Sequence, residues 1–176
     1  MVRSLQIYSL HYSFIYILQS SFMVEKNKKE DVLFPIGIVA KMFGISVATL
    51  RLYESEGLII PLKSKGRHRF YNNDDIKRIE CIRSLIEEKG LNLTGIRMLL
   101  STIPCWELKP CSEDDRKKCD AYFTSEIPCW MVENKGERCK NENCRDCPVY
   151  TQSAQCNNIK FILKKYWRSK PYDETI

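Results

Sequence analysis

The chain has 176 residues, 28 Lys and Arg against 22 Asp and Glu, and nine cysteines. A composition 44% hydrophobic and 28% charged argues against wholesale disorder and an integral membrane fold, and the length bounds the chain to one ordinary domain or two small ones. The net charge of +6 points to an acidic partner without naming it, and an odd cysteine count leaves at least one thiol outside any complete set of disulfides.

Charge and cysteine are unevenly spread. Residues 1–32 carry net +1, residues 33–103 net +4 with only Cys81, residues 104–156 net −2 with the other eight cysteines, and residues 157–176 net +3. This division predicts a leader, a basic domain, a cysteine-rich module and a tail. The first 22 residues are apolar but interrupted; their longest unbroken run, Phe14 to Leu18, is far short of the ~20 residues a membrane helix needs. A signal peptide is one reading of them. The preferred reading starts translation at Met23, which makes residues 1–22 an over-long gene prediction.

From Ile36 the pattern is helical. Ile36, Val39, Ala40 and Phe43 share a face and Gly44 ends the run; Ser46 then offers an N-cap to Ala48 or Thr49, and a second helix reaches about Ser55 before Gly57 stops it. Two short helices across a tight turn predict a helix-turn-helix, whose second helix can enter a DNA major groove. Leu58-Ile59-Ile60, a turn over residues 61–66 and His68-Arg69-Phe70-Tyr71 predict a β-hairpin wing. Lys63, Lys65, Arg67, His68 and Arg69 give that wing five basic or titratable side chains and no acid, which suits phosphate contacts. Asn72 with Asp75 reads as a capping pair for a third helix, whose Ile76, Ile79, Ile82, Leu85 and Ile86 form a core stripe. A fourth helix runs from about Leu93 to Ser101, and Pro104 forbids much continuation. Cys81 reads as a packed or half-exposed thiol without a partner.

Ile36-Gly-Ile-Val-Ala-Lys-Met-Phe-Gly44, Thr49-Leu-Arg-Leu-Tyr-Glu54, Gly57-Leu58, Arg69-Phe-Tyr71, Asp75-Ile76 and Gly90-Leu-Asn-Leu-Thr-Gly-Ile-Arg97 fall in the order and spacing of one known domain. Residues 34–101 resemble the DNA-binding domain of MerR-type transcription regulators, and the last of those stretches resembles the heat-shock repressor branch. The resemblance implies a homodimer on double-stranded promoter DNA, with RNA polymerase as a further partner and a cytoplasmic location. By position, it implies that Arg51, Tyr53, Arg69 and Tyr71 hold the DNA backbone, and that Val47, Ala48 and Thr49 reach base edges. Core packing is the competing reading of both tyrosines. The family's long dimerisation helix is missing after Pro104; the amphipathic stretch 158–168 is a candidate replacement, with packing on its own domain as the equal alternative.

Residues 103–150 contain a repeat. Ile103-Pro104-Cys105-Trp106 recurs as Ile127-Pro128-Cys129-Trp130; Cys111 and Cys119 are spaced as Cys139 and Cys147, and Tyr122 and Tyr150 follow each pair at the same distance. Cys144 and Cys156 complete the set. Disulfides suit a secreted scaffold rather than a DNA-binding chain, and a redox pair at Cys144 and Cys147 lacks its usual strand–helix context. The preferred reading makes Cys105, Cys111, Cys119, Cys129, Cys139, Cys144, Cys147 and Cys156 the candidate ligands of a metal or cluster. The segment has no His, so ligation is by thiolate, and zinc and an iron–sulfur cluster both remain open. The paired Cys-Trp units resemble the two-CW module of microbial sensor proteins, which implies a sensory role. Trp106 and Trp130 are expected to shield the site from water.

The expected fold is mainly α with a small β-hairpin wing, a winged helix-turn-helix followed by a metal- or cluster-stabilised module. The expected function is a sequence-specific transcription regulator that senses metal or redox state. The alternative is constitutive DNA binding with a structural zinc module that docks another protein. No triad or phosphate loop supports an enzyme.

Overall fold

Capping chemistry sets the helix boundaries of the first half. The computed structural model describes residues 32–154 and Lys164; the leader, Cys156 and the amphipathic stretch 158–168 lie outside the described residues, Lys164 excepted. β1 (Phe34–Pro35) leads into α1 (Ile36–Phe43), which Gly44 closes in the left-handed region at φ 62°. Ser46 Oγ accepts the Thr49 N–H at 3.0 Å and opens α2 (Val47–Ser55). The chain bends by 104° between α1 and α2, within the range of a helix-turn-helix. Asn72 and Asp75 form a reciprocal capping box, at 3.0 and 2.9 Å, at the head of α3 (Asn73–Glu87). Asn92 caps α4 (Leu93–Ser101) through the Gly95 N–H at 2.7 Å.

The wing differs from its expected form. Its outer strand is β2 (Leu62–Lys63), paired antiparallel with β3 (Arg69–Tyr71), and β1 pairs with the other side of β3, with Phe34 opposite Tyr71 and Leu62 opposite Phe70. Leu58-Ile59-Ile60 is not a strand. Leu58 and Ile59 are both buried, which a half-buried strand's alternation forbids, and both their N–H groups turn back to the Tyr53 carbonyl.

After α4 the helices shorten: α5 (Cys105–Leu108), α6 (Glu113–Lys117), α7 (Asp120–Phe123), α8 (Glu137–Lys140), a 3-10 turn (Cys144–Asp146) and α9 (Pro148–Gln152). Of these only α9 buries residues, Val149 and Tyr150. Elements this short cannot enclose a core of their own. They share one instead: Trp130, Val149 and Tyr150 belong to the same hydrophobic cluster as Val39, Leu50, Ile79, Ile82 and Ile96. Cys81 packs against that cluster and is disulfide-bonded. This corrects its expected state as an unpartnered thiol. No single helix among the described residues is long and apolar enough to cross a membrane.

Candidate nucleic-acid surface and cysteine cavity

At the head of α2, Val47 and Thr49 are half-buried and Ala48 is exposed, while Arg51 stands exposed one turn along. Lys65, Arg67 and His68 are exposed at the wing tip, where Arg67 N–H closes a turn to the Ser64 carbonyl at 2.9 Å and Arg67 itself holds φ 59°. Lys63 and Arg69 are not free phosphate ligands. Both are bound by Glu54 of α2, at 2.7 and 2.5 Å, which ties the wing to the recognition helix. Burial raises the Glu54 carboxyl, but the bonds from Arg69 and Lys63 outweigh it and leave the group below its ordinary value. Tyr53 and Tyr71 are core side chains; Tyr71 is 0% exposed, its hydroxyl has no hydrogen-bond partner among the described residues, and burial pushes it up to about 12. Their burial anchors α2 and β3 to the core.

The cysteine segment brings seven of its predicted ligands to one place. Cys105, Cys111, Cys119, Cys129, Cys139, Cys144 and Cys147 are free thiols, all half-buried, and all line one cavity of about 60 Å³. Trp106 and Tyr122 line it too, with Lys109, Arg116, Lys135 and Arg138 against the carboxylates of Asp115 and Glu142. Cationic excess in a wall of thiols offsets the charge those thiols gain when they ionise. The Cys129 thiol donates to Cys105, which lowers Cys105 to about 7 and, with burial, raises Cys129. Burial also raises Cys111 and Cys139. Lys135 Nζ lies 3.4 Å from Cys144 Sγ.

Among the described residues no three His, Cys, Asp or Glu groups already converge on a single-ion position. The thiols ring a space instead. A tetrahedral zinc site, with Zn–S bonds of about 2.3 Å, draws four sulfurs to within about 4 Å of one another and leaves no room between them. A cavity needs about 10–15 Å³ to hold one water by the same measure, so the cavity that these thiols line takes several atoms. The donor set suits all-thiolate ligation of a metal ion or a cluster.

The two repeats share a local design. Trp106 packs edge-on against Tyr122 with centroids 5.0 Å apart, and Trp130 packs edge-on against Tyr150 at 5.2 Å. Cys119 and Cys147 each sit at the N-cap of the helix that bears the tyrosine. The repeated tyrosines carried this signal in the sequence, since each returns at the same distance from its cysteine pair.

Trp106 borders the cavity, as expected for a shield. Trp130 does not: its indole N–H donates to the Gly57 carbonyl at 2.7 Å, at the end of the recognition helix. Around it, Arg78 of α3 is 2% exposed, 3.8 Å from the Tyr150 ring centroid and 5.8 Å from that of Trp130, and donates to the Tyr150 carbonyl and, at 2.9 Å, to Ser153. Burial lowers the Arg78 guanidinium from its ordinary value. Arg145 grips Asp75, itself 2% exposed, with two bonds of 3.0 and 2.8 Å and donates to the Ile60 carbonyl. The Tyr150 hydroxyl accepts the Ile60 N–H at 2.8 Å. Asp75 was read only as a cap; its pairing with Arg145, and the contacts of Arg78, escaped sequence reasoning because the partners lie some seventy residues away.

The fold defines a winged helix-turn-helix, and residues 34–103 match the family model described as MerR HTH family regulatory protein. That match covers the three strands and α1 to α4. The chain is 32% identical over 77 residues to the HTH-type transcriptional regulator GlnR of Bacillus anthracis, covering 44% of this chain and 59% of GlnR. It is 32% identical over 72 residues to the putative heat shock protein HspR of Streptomyces coelicolor, covering 41% and 48%. It is 33% identical over 85 residues to the HTH-type transcriptional activator SoxR homolog of Chromobacterium violaceum, covering 48% and 56%. The chain thus spans about half the length of the curated relatives it matches. No solved structure matches it.

Proposed function

We propose that this protein is a promoter-binding transcription regulator, active as a homodimer, whose cysteine module binds an iron–sulfur cluster and uses it as the signal input. One observation carries the choice of cofactor: all seven free thiols of the described chain border one cavity with room for several atoms. Four of them would hold the cluster, with Lys109, Arg116, Lys135 and Arg138 balancing its charge and Trp106 limiting water. A bound cluster supplies a one-electron redox couple, whose potential such neighbours tune. Val47, Ala48 and Thr49 face the bases, and Arg51, Lys65, Arg67 and His68 meet phosphates. Lys63 and Arg69 contribute to the same field while clamped by Glu54. Residues 104–156 are the sensory part, and RNA polymerase would act as a partner on the promoter.

Anaerobic purification followed by iron, acid-labile sulfide and zinc analysis tests the cofactor. Stoichiometric iron and sulfide, with promoter binding that responds to oxidant, is the expected result. Stoichiometric zinc, no iron and oxidant-insensitive binding would instead identify a structural zinc scaffold with constitutive DNA binding. Arg51→Ala is expected to weaken binding across sequences and to reduce the salt slope by about 1; unchanged affinity would remove α2 from the interface.

A further inference from the structure

The surface that joins the cysteine module to the DNA-binding domain is built from neighbours of the cavity's own thiols. Cys129 directly precedes Trp130, Cys144 directly precedes Arg145, and Cys147 lies three residues before Tyr150. All three side chains land on the DNA-binding domain, two of them on Ile60. Trp130 bonds the Gly57 carbonyl where α2 ends. Arg145 holds the Ile60 carbonyl at the root of the wing and Asp75 at the head of α3. Tyr150 accepts the Ile60 N–H and lies against Arg78.

We propose that Trp130, Arg145 and Tyr150 form a relay, through which the ligand state of the cysteine cavity repositions the recognition helix and wing of the same chain. The inference rests on the cavity as a metal or cluster site and adds the route by which it is read. Ligation fixes the positions of the sulfurs it uses, so a change of ligand state acts on the thiols that line the cavity. Cys129 and Trp130, like Cys144 and Arg145, are separated by one peptide unit, which leaves little slack to absorb a shift of the sulfur.

At the far end, Glu54 lies one helical turn before Gly57 and holds Lys63 and Arg69, so helix and wing move together. The contact is also suited to two discrete states. Arg78 meets a carbonyl, a hydroxyl and two ring faces that all come from the cysteine module. Undocking would strip all of them from a buried cation at once, so partial release is disfavoured.

The test uses the full chain, the duplex best bound from a random-sequence pool, and anaerobic loading with ferrous iron and sulfide, with Zn²⁺ alone in parallel. Duplex affinity is titrated in the empty and loaded states of each protein. The wild type is expected to change affinity about 10-fold or more between states, the usual range of allosteric coupling. Trp130→Phe and Tyr150→Phe keep a ring and lose the bonds to Gly57 and Ile60. They should load to wild-type content while the ratio falls to within about twofold of unity. Hydrogen exchange on the wild type should change at the Ile60 amide on loading.

A wild type whose affinity neither loading moves overturns the regulatory reading and the relay together. A responsive wild type whose two variants respond equally overturns the relay alone, as does loss of loading in the variants, which would make these residues supports of the cavity. Should neither variant fold, unchanged exchange at Gly57, Ile60 and Arg78 in the wild type overturns it.

Discussion

The two Ile-Pro-Cys-Trp units carry the same tetrapeptide, the same eight-residue cysteine spacing and the same edge-on Trp–Tyr pair, yet their surroundings differ. In the first unit, Trp106 and Tyr122 wall the cavity, and Tyr122 continues outward to Phe123 at 5.3 Å, which is 71% exposed. In the second, Trp130 and Tyr150 turn away from the cavity into the shared core and receive the Arg78 guanidinium. A duplicated local motif sets the geometry within each pair. What the pair does is set by the partner it meets: solvent and cavity in one case, a buried cation and the Gly57 carbonyl in the other.

The sharpest way to break this comparison is to delete each tryptophan. Trp130→Ala should cost about 3–5 kcal/mol, because the void opens inside the core and exposes Arg78. Trp106→Ala should cost only about 1–2 kcal/mol of stability, since its ring is half-exposed already. Chemical denaturation of both variants measures the difference, and equal losses would erase the distinction between the units.

A double-mutant cycle on Asp75 and Arg145 gives the next largest effect. Arg145→Ala leaves the Asp75 carboxylate buried without its cation, so a loss of about 3 kcal/mol is expected. Asp75→Asn combined with it should recover part of that loss, measured again by denaturant midpoint. Strict additivity would mean that the bidentate pair contributes nothing specific to docking.

The smallest effect concerns the wing tip. Arg67→Gly relieves the left-handed backbone at φ 59° and should gain about 0.5–1 kcal/mol in stability. The same change should weaken duplex binding, because a cation leaves the exposed tip. A variant that gains stability with no change in salt-dependent binding would take Arg67 out of the phosphate contacts.

How much of this was legible in the sequence depended on the range of the interaction. Ser46, Asn72 and Gly44 announced their helix ends because a cap bonds within three or four residues and needs no tertiary partner. The wing strand was displaced from Leu58-Ile59-Ile60 to Leu62–Lys63 because the apolar run serves the core. The sequence pattern does not distinguish a buried connector from a strand. β1 was not readable at all, since two residues acquire strand geometry only by pairing with Tyr71 and Phe70. The convergence of thiols followed from the repeat. That Trp130 leaves the cavity did not, because its tetrapeptide is identical to that of Trp106 and the distinction lies in Gly57 and Arg78, more than fifty residues upstream.

Gly57 shows how far the two halves have become one object. Its φ of 69° already favours glycine, and a Cβ placed there would sit 1.7 Å from the Met131 sulfur. The helix exit of one half therefore has its missing side chain supplied by the other. Cutting the chain at the end of the family match, or grafting its first half onto a different effector module, would leave a notch at Gly57, an unfilled acceptor on its carbonyl and a naked cation at Arg78. The segment that matches the family model is thus not by itself a complete packing unit. Any chimera would need Gly57, Arg78, Trp130 and Met131 to travel as a set.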